Sequence, residues 1–372
     1  MWITQLLSQV ANVVPGNSVP AKQKDELYAG VEGMPYVATK DIGFDGTIDY
    51  QNGICIPKNY LNKFKISPIG ATLVCAEGGS AGRKIAYSLN ECCYVNKLVS
   101  FQPNSKIIPK FLYYYVLSAE FQLQFRSALH GLIGGVSLSK MKNFNISYPP
   151  LAEQQRIVAK LDAAFAEIDG AIEVSSSRKH QSEQLLEKML SEEFCSTPKK
   201  QSMKFADVCT LQRGFDLPKS QRQAGSFPLF SANGITDYID VAKIAAPGVI
   251  TGRSGTIGAV HYTEKEFWAL NTALYVKDFK GNLPKYVFYF LKSFDLKKYA
   301  SGAGVPTLNR NVLSDKIVWI AAEHSKQQST CEKLDEATEQ VSCLSQILNK
   351  QIVNYQVLKS AILAQELQSE AA

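Results

Sequence analysis

Two stretches of the chain carry the longest regular spacing of apolar residues. In the first, Val158, Leu161, Phe165, Ile168 and Ile172 are spaced by three and four, and Leu185, Leu186, Met189 and Leu190 resume the row beyond the polar run 175–179. In the second, Leu334, Val341, Leu348, Tyr355 and Ile362 recur every seven residues, with Ala337, Leu344 and Leu358 between them. Such heptads predict two long helices. Pro149-Pro150 ends the preceding strand and suits a first helical turn, where a missing N–H is harmless. At ~1.5 Å per residue each helix would run about 65 Å, too long to stand alone in water. The expected solution is that the two pack on each other, antiparallel, as a coiled coil.

The segments ahead of the helices repeat one another. Residues 107 to 118, IIPKFLYYYVLS, return as 282 to 293, NLPKYVFYFLKS, 175 positions later, and Asn96 returns as Asn271 at the same offset. Gly135-Val136 is matched to Gly304-Val305, and Gln154-Gln155 with Lys160-Leu161-Asp162 to Gln327-Gln328 with Lys333-Leu334-Asp335, at offsets of 169 and 173. Few insertions or deletions are therefore expected between the copies. A repeat this long is a duplicated domain rather than a solenoid unit. The expected fold class is α+β: two mixed α/β domains, 1–150 and 199–320, joined by long helices in 151–198 and 321–372, with an internal pseudo-twofold repeat. The aromatic stretches 109–126 and 284–299 are expected to be the helix that covers each sheet, since Tyr and Phe bury much area, rather than platforms for bases.

Length and composition allow this. At 372 residues and 45% hydrophobic, the chain has room for two cores. Charge follows the repeat: residues 1–150 hold 14 Lys/Arg against 9 Asp/Glu and 199–320 hold 17 against 9, whereas the helical segments hold 5 against 9 and 4 against 7. Basic bodies alternate with acidic connectors. Basic globular surfaces suit phosphate-bearing partners, because each neutralised phosphate releases counterions. Two heads on one duplex face must sit about a helical turn apart or a multiple of it, ~34 Å per turn, and a helical strut can act as the ruler. No apolar run approaches the ~18–20 residues that cross a bilayer, and no basic leader opens the chain, so the expected location is cytoplasmic, without a membrane partner. The eight cysteines form no C-x-x-C pair and no zinc spacing; adjacent Cys92 and Cys93 are expected as core filler in a strand.

The string Pro149-Pro150-Leu151-Ala152-Glu153-Gln154-Gln155-Arg156-Ile157-Val158-Ala159-Lys160-Leu161-Asp162, closing a mixed domain and opening a long helix, resembles the signature of the specificity (S, HsdS) subunits of type I restriction-modification systems. The resemblance covers the whole chain, since that family is built as target recognition domain, conserved helix, second target recognition domain, second conserved helix. Pro247-Gly248-Val249-Ile250 with Gly255-Thr256-Ile257-Gly258 resembles the family's common hairpin, and Gly70-Ala71-Thr72-Leu73 with Gly79-Ser80-Ala81-Gly82 is its first-copy counterpart.

The resemblance implies a DNA-reading subunit with no catalysis of its own. Each head would read one half of a bipartite, asymmetric site in double-stranded DNA, and the paired helices would set the spacer. They would also dock methyltransferase (M) subunits, two in number, that methylate adenine. The chain itself would bind no cofactor and no metal: S-adenosylmethionine would belong to the M subunits, and ATP and Mg to restriction (R) subunits that join the complex. The residues implied for M docking are Glu153, Gln154, Gln155 and Arg156, with Gln327 and Gln328 in the second copy, where Ala321-Ala322-Glu323-His324 replaces the paired prolines and Ser329, Thr330 and Cys331 replace Arg156, Ile157 and Val158. Equal docking at both ends is thereby put in doubt. A specificity subunit of a related system with a fused methyltransferase-nuclease partner shares this architecture and stays open, as does a coiled-coil scaffold for RNA or protein, although no aromatic RNP string appears.

Enzyme motifs are missing from the sequence. An adenine methyltransferase needs an N-P-P-[YF] loop, and Tyr148-Pro149-Pro150 lacks the Asn. The run from Gly78 to Lys84 misses the Walker spacing by one residue, and Ile85 follows the Lys. The four histidines are scattered and pair with no nucleophile. Direct readout needs forked donors, Arg for guanine and Asn or Gln for adenine, while Lys holds phosphates. The candidates are Arg83, Lys84, Asn96, Lys97, Lys140 and Lys142 in the first head, and Arg213, Lys219, Arg222, Arg253, Asn271, Asn309 and Arg310 in the second. Residues shared by both copies build the fold; residues that differ are better placed to read different half-sites. Arg253, set opposite Glu77, and Arg213 are favoured over the Asn pair on that ground.

Overall fold

The computed structural model describes residues 1–130, 134–197, 200–302, 304 and 306–368. Val305 of the expected Gly304-Val305 match, the boundary at 198/199 and the last four residues of the second helical segment lie outside the described residues. The chain divides into two compact units, one of Met1–Glu173 with Ile352–Ala372, the other of Val174–Gln351. Two 43-residue helices, Leu151–Glu193 and His324–Glu366, contribute to both.

In the first unit the strands are β1 (Ile3–Leu6), β2 (Ala11–Pro15), β3 (Met34–Val37), β4 (Cys55–Ile56), β5 (Ile66–Ser67), β6 (Thr72–Cys75), β7 (Ile85–Tyr87), β8 (Cys92–Tyr94), β9 (Leu98–Pro103) and β10 (Asn145–Tyr148). The helices are α1 (Leu7–Val10), α2 (Ala21–Leu27), α3 (Pro109–Leu117), α4 (Ala119–Ala128), α5 (Leu138–Lys142) and α6 (Leu151–Glu193). A four-stranded sheet in the order β2-β9-β6-β7 carries the head, a smaller one runs β4-β3-β8-β5, and β1 pairs with β10. β6 reads TLVC and is buried throughout because both faces are covered. Val74 joins Phe111, Phe121 and Phe125 under α3 and α4, while Leu73 and Cys75 meet the smaller sheet. Pro109 fits the first turn of α3, and Ser118 caps α4 by accepting from Phe121 N. Cys92 and Cys93 lie buried in β8, where burial pushes both thiols up to about 12.

The second unit holds β11 (Gln201–Lys204), β12 (Thr210–Arg213), β13 (Ala224–Ser231), β14 (Gly234–Ile239), β15 (Gly248–Gly252), β16 (Val260–Thr263), β17 (Trp268–Ala269), β18 (Ala273–Asp278), β19 (Ala300–Ser301), β20 (Thr307–Leu308) and β21 (Ile317–Ile320). Its helices are α7 (Phe205–Val208), α8 (Pro284–Ser293) and α9 (His324–Glu366). The main sheet runs β12-β18-β15-β16, the smaller β14-β13-β17, and β11 pairs with β21. The main sheet and the β11–β21 pair repeat the first unit strand for strand, and the smaller sheet repeats all but β5, including the parallel pairing of β13 with β17 that answers β3 with β8; β19–β20 is answered by the single bridge of His130 with Gly135. The hairpin expected from the glycine motifs is β15–β16, answered by β6–β7. The aromatic helices cover the sheets as expected: Tyr286, Tyr289 and Phe290 are as buried as Phe111, Tyr114 and Tyr115.

Backbone hydrogen bonds correct the internal alignment. Gly16 N donates to Leu98 O and Gly214 N to Ala273 O, so these glycines are equivalent, 198 positions apart, whereas Asn96 and Asn271 are 175 apart. The first head thus holds 23 extra residues before Asn96, a stretch that includes β5, and the expectation of few insertions fails there. Ala76 N donates to Lys97 O as Arg253 N does to Thr272 O, so Arg253 stands opposite Ala76, not Glu77. Gly135 bridges Glu77 as Thr307 bridges Ser254, so Gly135-Val136 answers Thr307-Leu308 rather than Gly304-Val305.

Within each unit α6 and α9 run antiparallel. In the first, Ile157, Leu161 and Phe165 of α6 and Leu363 of α9 enter one core, with Lys160 on Glu366 at 2.6 Å and Lys359 on Asp169 at 2.7 Å. In the second, Leu190 of α6 and Leu334 of α9 enter the core, with Lys333 on Glu193 at 2.5 Å and Lys179 donating to Asn349 at 3.2 Å. The seam is narrower than the heptads suggested. Leu185, Leu344 and Leu358 are 58%, 38% and 47% exposed, because one partner helix covers only a narrow stripe and a 3.6-residue turn drifts off a seven-residue repeat.

Candidate nucleic-acid interface

Sheet pairing in the second head gathers residues far apart in sequence. Arg213 ends β12, Asn271 precedes β18 and Arg253 follows β15, so neighbouring strands deliver all three to one edge of the sheet. Arg213 Nη2 lies 3.4 Å from Asp216, Asn271 Nδ2 also donates to Asp216, and Arg253 Nη1 donates to Asn271 O at 3.3 Å. Arg213 and Asn271 thus share one carboxylate and Arg253 joins them through the Asn271 carbonyl, a set able to donate to guanine or phosphate and to accept from cytosine N4. Lys243 Nζ stands 4.1 Å above the Phe215 ring and 5.0 Å above Trp268, adding a cation beside the cluster. The backbone here needs glycine: a Cβ on Gly214 would sit 2.3 Å from Leu270 O, as one on Gly16 would sit 2.3 Å from Tyr94 O.

The corresponding edge of the first head carries different chemistry. Ala76 replaces Arg253 and Asn17 replaces Phe215, its side chain tied to Lys63 O and Lys65 N. Asn96, Lys97 and Glu77 are exposed. Burial holds the Cys75 thiol above its ordinary value, against the opposing charges of Lys84 and Lys97. Lys84 Nζ donates to Thr39 O at 2.9 Å, and the Arg83 guanidinium lies 4.9 Å from the centre of the Phe44 ring. Lys140 touches His130, whose backbone pairs with Gly135.

Other expected DNA residues fall elsewhere. Lys142 lines a hollow of about 430 Å³ with Asn12, Gln102 and Asn104, at the end of β2 and β9 away from Asn96. Arg222 is folded onto its own loop, donating to Leu217 O at 3.2 Å and lying 3.9 Å from Asp237, while Lys219 is exposed nearby. Asn309 caps the turn Arg310–Leu313, and Arg310 Nη1 donates to Leu211 O at 3.1 Å. Asp216, Lys243 and Phe44 were missed. Of these, only Phe44, an aromatic set in the turn Gly43-Phe44-Asp45-Gly46, carried a sequence signal.

The residues expected to dock a partner divide. Gln154 is fully buried: its Oε1 accepts from Ile108 N at 2.8 Å and its Nε2 donates to Pro149 O at 2.8 Å and Lys106 O at 3.2 Å. Gln327 repeats this with Leu283 N at 2.9 Å, Ala321 O at 2.9 Å and Asn282 Oδ1 at 2.7 Å. Both amides tie the start of a long helix to the start of α3 or α8, and neither is available to a partner, which corrects the expectation for these two positions. Gln155, Arg156 and Gln328 are exposed and Glu153 is half-exposed; Arg156 pairs with Glu153 at 2.7 Å. The other repeated residues tighten the same joint: Lys110 and Tyr114 meet Asp162, and Lys285 at 2.8 Å and Tyr289 at 2.5 Å meet Asp335. Among the described residues no helix is long and apolar enough to cross a membrane.

A family model described as the type I restriction modification DNA specificity domain matches residues 2–173 and again 198–352. The chain belongs to that family. One curated relative, the type I restriction enzyme EcoKI specificity subunit of Escherichia coli (strain K12), is 25% identical over 177 residues, 45% of this chain and 37% of the relative. The match thus spans little more than a third of that protein. A structure from work on complex assembly and conformational transition of the type I R-M system superposes with a TM-score of 0.76 at 17% identity, over 99% of this chain and 98% of that one. The HsdS subunit from Thermoanaerobacter tengcongensis gives 0.52 at 18%, over 99% and 97%. At these identities the two structures share the family's fold. The two family matches fall on the two repeated units, each opening in a basic head and running into α6 or α9.

Proposed function

We propose that the chain is the DNA specificity subunit of a type I restriction-modification complex, each head reading one half of a bipartite, asymmetric site. The observation that carries this is the double family match, laid over two heads whose equivalent sheet edges present unlike side chains. In the second head Arg213, Arg253 and Asn271 carry the base contacts, with Lys243 on phosphate; in the first, Arg83, Lys84, Asn96 and Lys97 take these parts. The antiparallel segments of α6 and α9 set the unread spacer and dock methyltransferase subunits through exposed residues such as Gln155, Arg156 and Gln328. Methyl transfer to adenine with S-adenosylmethionine belongs to those subunits, and ATP-driven cleavage to restriction subunits; this chain contributes recognition in the cytoplasm and no chemistry of its own.

The test is a map of methylated adenines in cells carrying this gene with its methyltransferase partner, against a deletion of this gene. A bipartite motif that disappears with the deletion is expected. Exchanging residues 199–320 for another head should change one half of the motif only; a change in both halves or in neither would overturn the division of labour.

A further inference from the structure

Phe44 is 63% exposed and is the only Phe or Trp among the exposed large hydrophobic residues described. It sits at the tip of a tightly built turn rather than in a slack loop. Gly43 N donates to Thr47 O at 2.9 Å, Thr47 donates to Asp45 Oδ1 from its hydroxyl at 2.7 Å and its amide at 3.1 Å, and Ile42 bridges Ile48 below. Buried Asp41 pins the base of the turn by accepting from Ala38 N and from Asn52 Nδ2. The ring is thus presented at a fixed place. Two cations lie over it, the Arg83 guanidinium at 4.9 Å and the Lys84 ammonium at 5.2 Å from its centre.

A guanidinium lying on an aromatic face has already given up much of its rotamer freedom, so less is lost when it binds. Arg83 Nη1 also reaches Gly79 O at 3.5 Å, a long contact that helps to place the group; a guanidinium fork matches guanine O6 and N7 in the major groove, and a phenyl edge beside it packs against the C5-methyl of thymine. We propose that Phe44 and Arg83 act as one base-reading unit of the first head, recognising a guanine next to a thymine in that head's half-site. This rests on the reading of the chain as a specificity subunit. Lys84 Nζ, which donates to Thr39 O at 2.9 Å, lies over the same ring at 5.2 Å.

The experiment maps methylated adenines for the full chain with its methyltransferase subunits, as wild type and as F44A, F44Y, R83A and the F44A/R83A double variant. In the half-site assigned to the first head by head exchange, F44A and R83A should each lower base discrimination at neighbouring positions about tenfold or more. The double variant should be little worse than the stronger single one, because the two side chains work together. F44Y, which keeps the ring, should keep the guanine preference. The other half-site should stay intact in every variant, which serves as the control for folding. Unchanged discrimination in F44A, or a first half-site without a guanine–thymine step while the wild-type motif is bipartite, overturns this inference alone; a wild type with no bipartite motif overturns the specificity reading on which it rests.

Discussion

At the joint between head and helix the two units are close copies: Gln154 and Gln327 each accept from the backbone N–H that opens α3 or α8 and donate to a backbone carbonyl just ahead of their own helix, and Asp162 and Asp335 receive the same Lys and Tyr. Apart from the shared Asn96 and Asn271, they part company at the sheet edge, with Arg213, Asp216, Arg253 and Lys243 in one and Asn17, Ala76, Phe44 and Arg83 in the other. Burial accounts for the contrast. A buried amide with three backbone or side-chain partners tolerates almost no change, since each orphaned group costs about 1–3 kcal/mol, whereas an edge open to solvent can be rewritten freely. Sameness marks the joint and difference marks the reading surface.

The strongest test of that contrast is to damage the joint in either unit. Gln154→Leu and Gln327→Leu should each lower stability by roughly 2–4 kcal/mol in chemical denaturation; one large and one silent effect would show that the joints are not equivalent. Next, Gly16→Ala and Gly214→Ala should each cost about 1–3 kcal/mol, because the new methyl meets backbone carbonyls that cannot step aside. Arg253→Ala should leave stability within about 0.5 kcal/mol yet remove about 1–3 kcal/mol of base discrimination in one half-site, read from the methylated motif. Lys243→Ala should weaken binding evenly across sequences and reduce the salt slope by about one, measured by titration at several ionic strengths.

The smallest effect concerns pH. The hydrogen bond to Asp335 holds the Lys285 ammonium above its ordinary value, so this pair's stabilisation is complete below about pH 10 and fades as pH rises through the raised value. The pair is more than a third exposed, which limits its worth to under about 1 kcal/mol. The gap between Lys285→Met and wild type should therefore hold steady up to about pH 10 and narrow above it in denaturation curves.

Much of the architecture could be read from the sequence because it is written in local signals. Heptads disclosed α6 and α9 and the repeated Pro-Lys disclosed α3 and α8, while the β6–β7 and β15–β16 hairpins came from the likeness of the glycine motifs to the family's common hairpin. The role of Gln154 could not be read, since its burial depends on Ile108 and Lys106, some 46 and 48 residues away. The grouping of Arg213, Asn271 and Arg253 was equally hidden, because it follows from strand order. The extra 23 residues of the first head masked Gly16 and Gly214 as a pair.

The first unit is closed by residues 352–372, which bring Leu363 into its core and Glu366 onto Lys160. Of that core only Leu363 comes from α9, with Ile362 and Leu367 packed against the same core, so the last packing on α6 in this unit is laid down some two hundred positions after α6 begins, while the second unit draws on nothing beyond Gln351. A chain cut short at 351 would keep the strands of both heads and lose the cover that Leu363 gives the first unit, leaving that apolar patch open to aggregation.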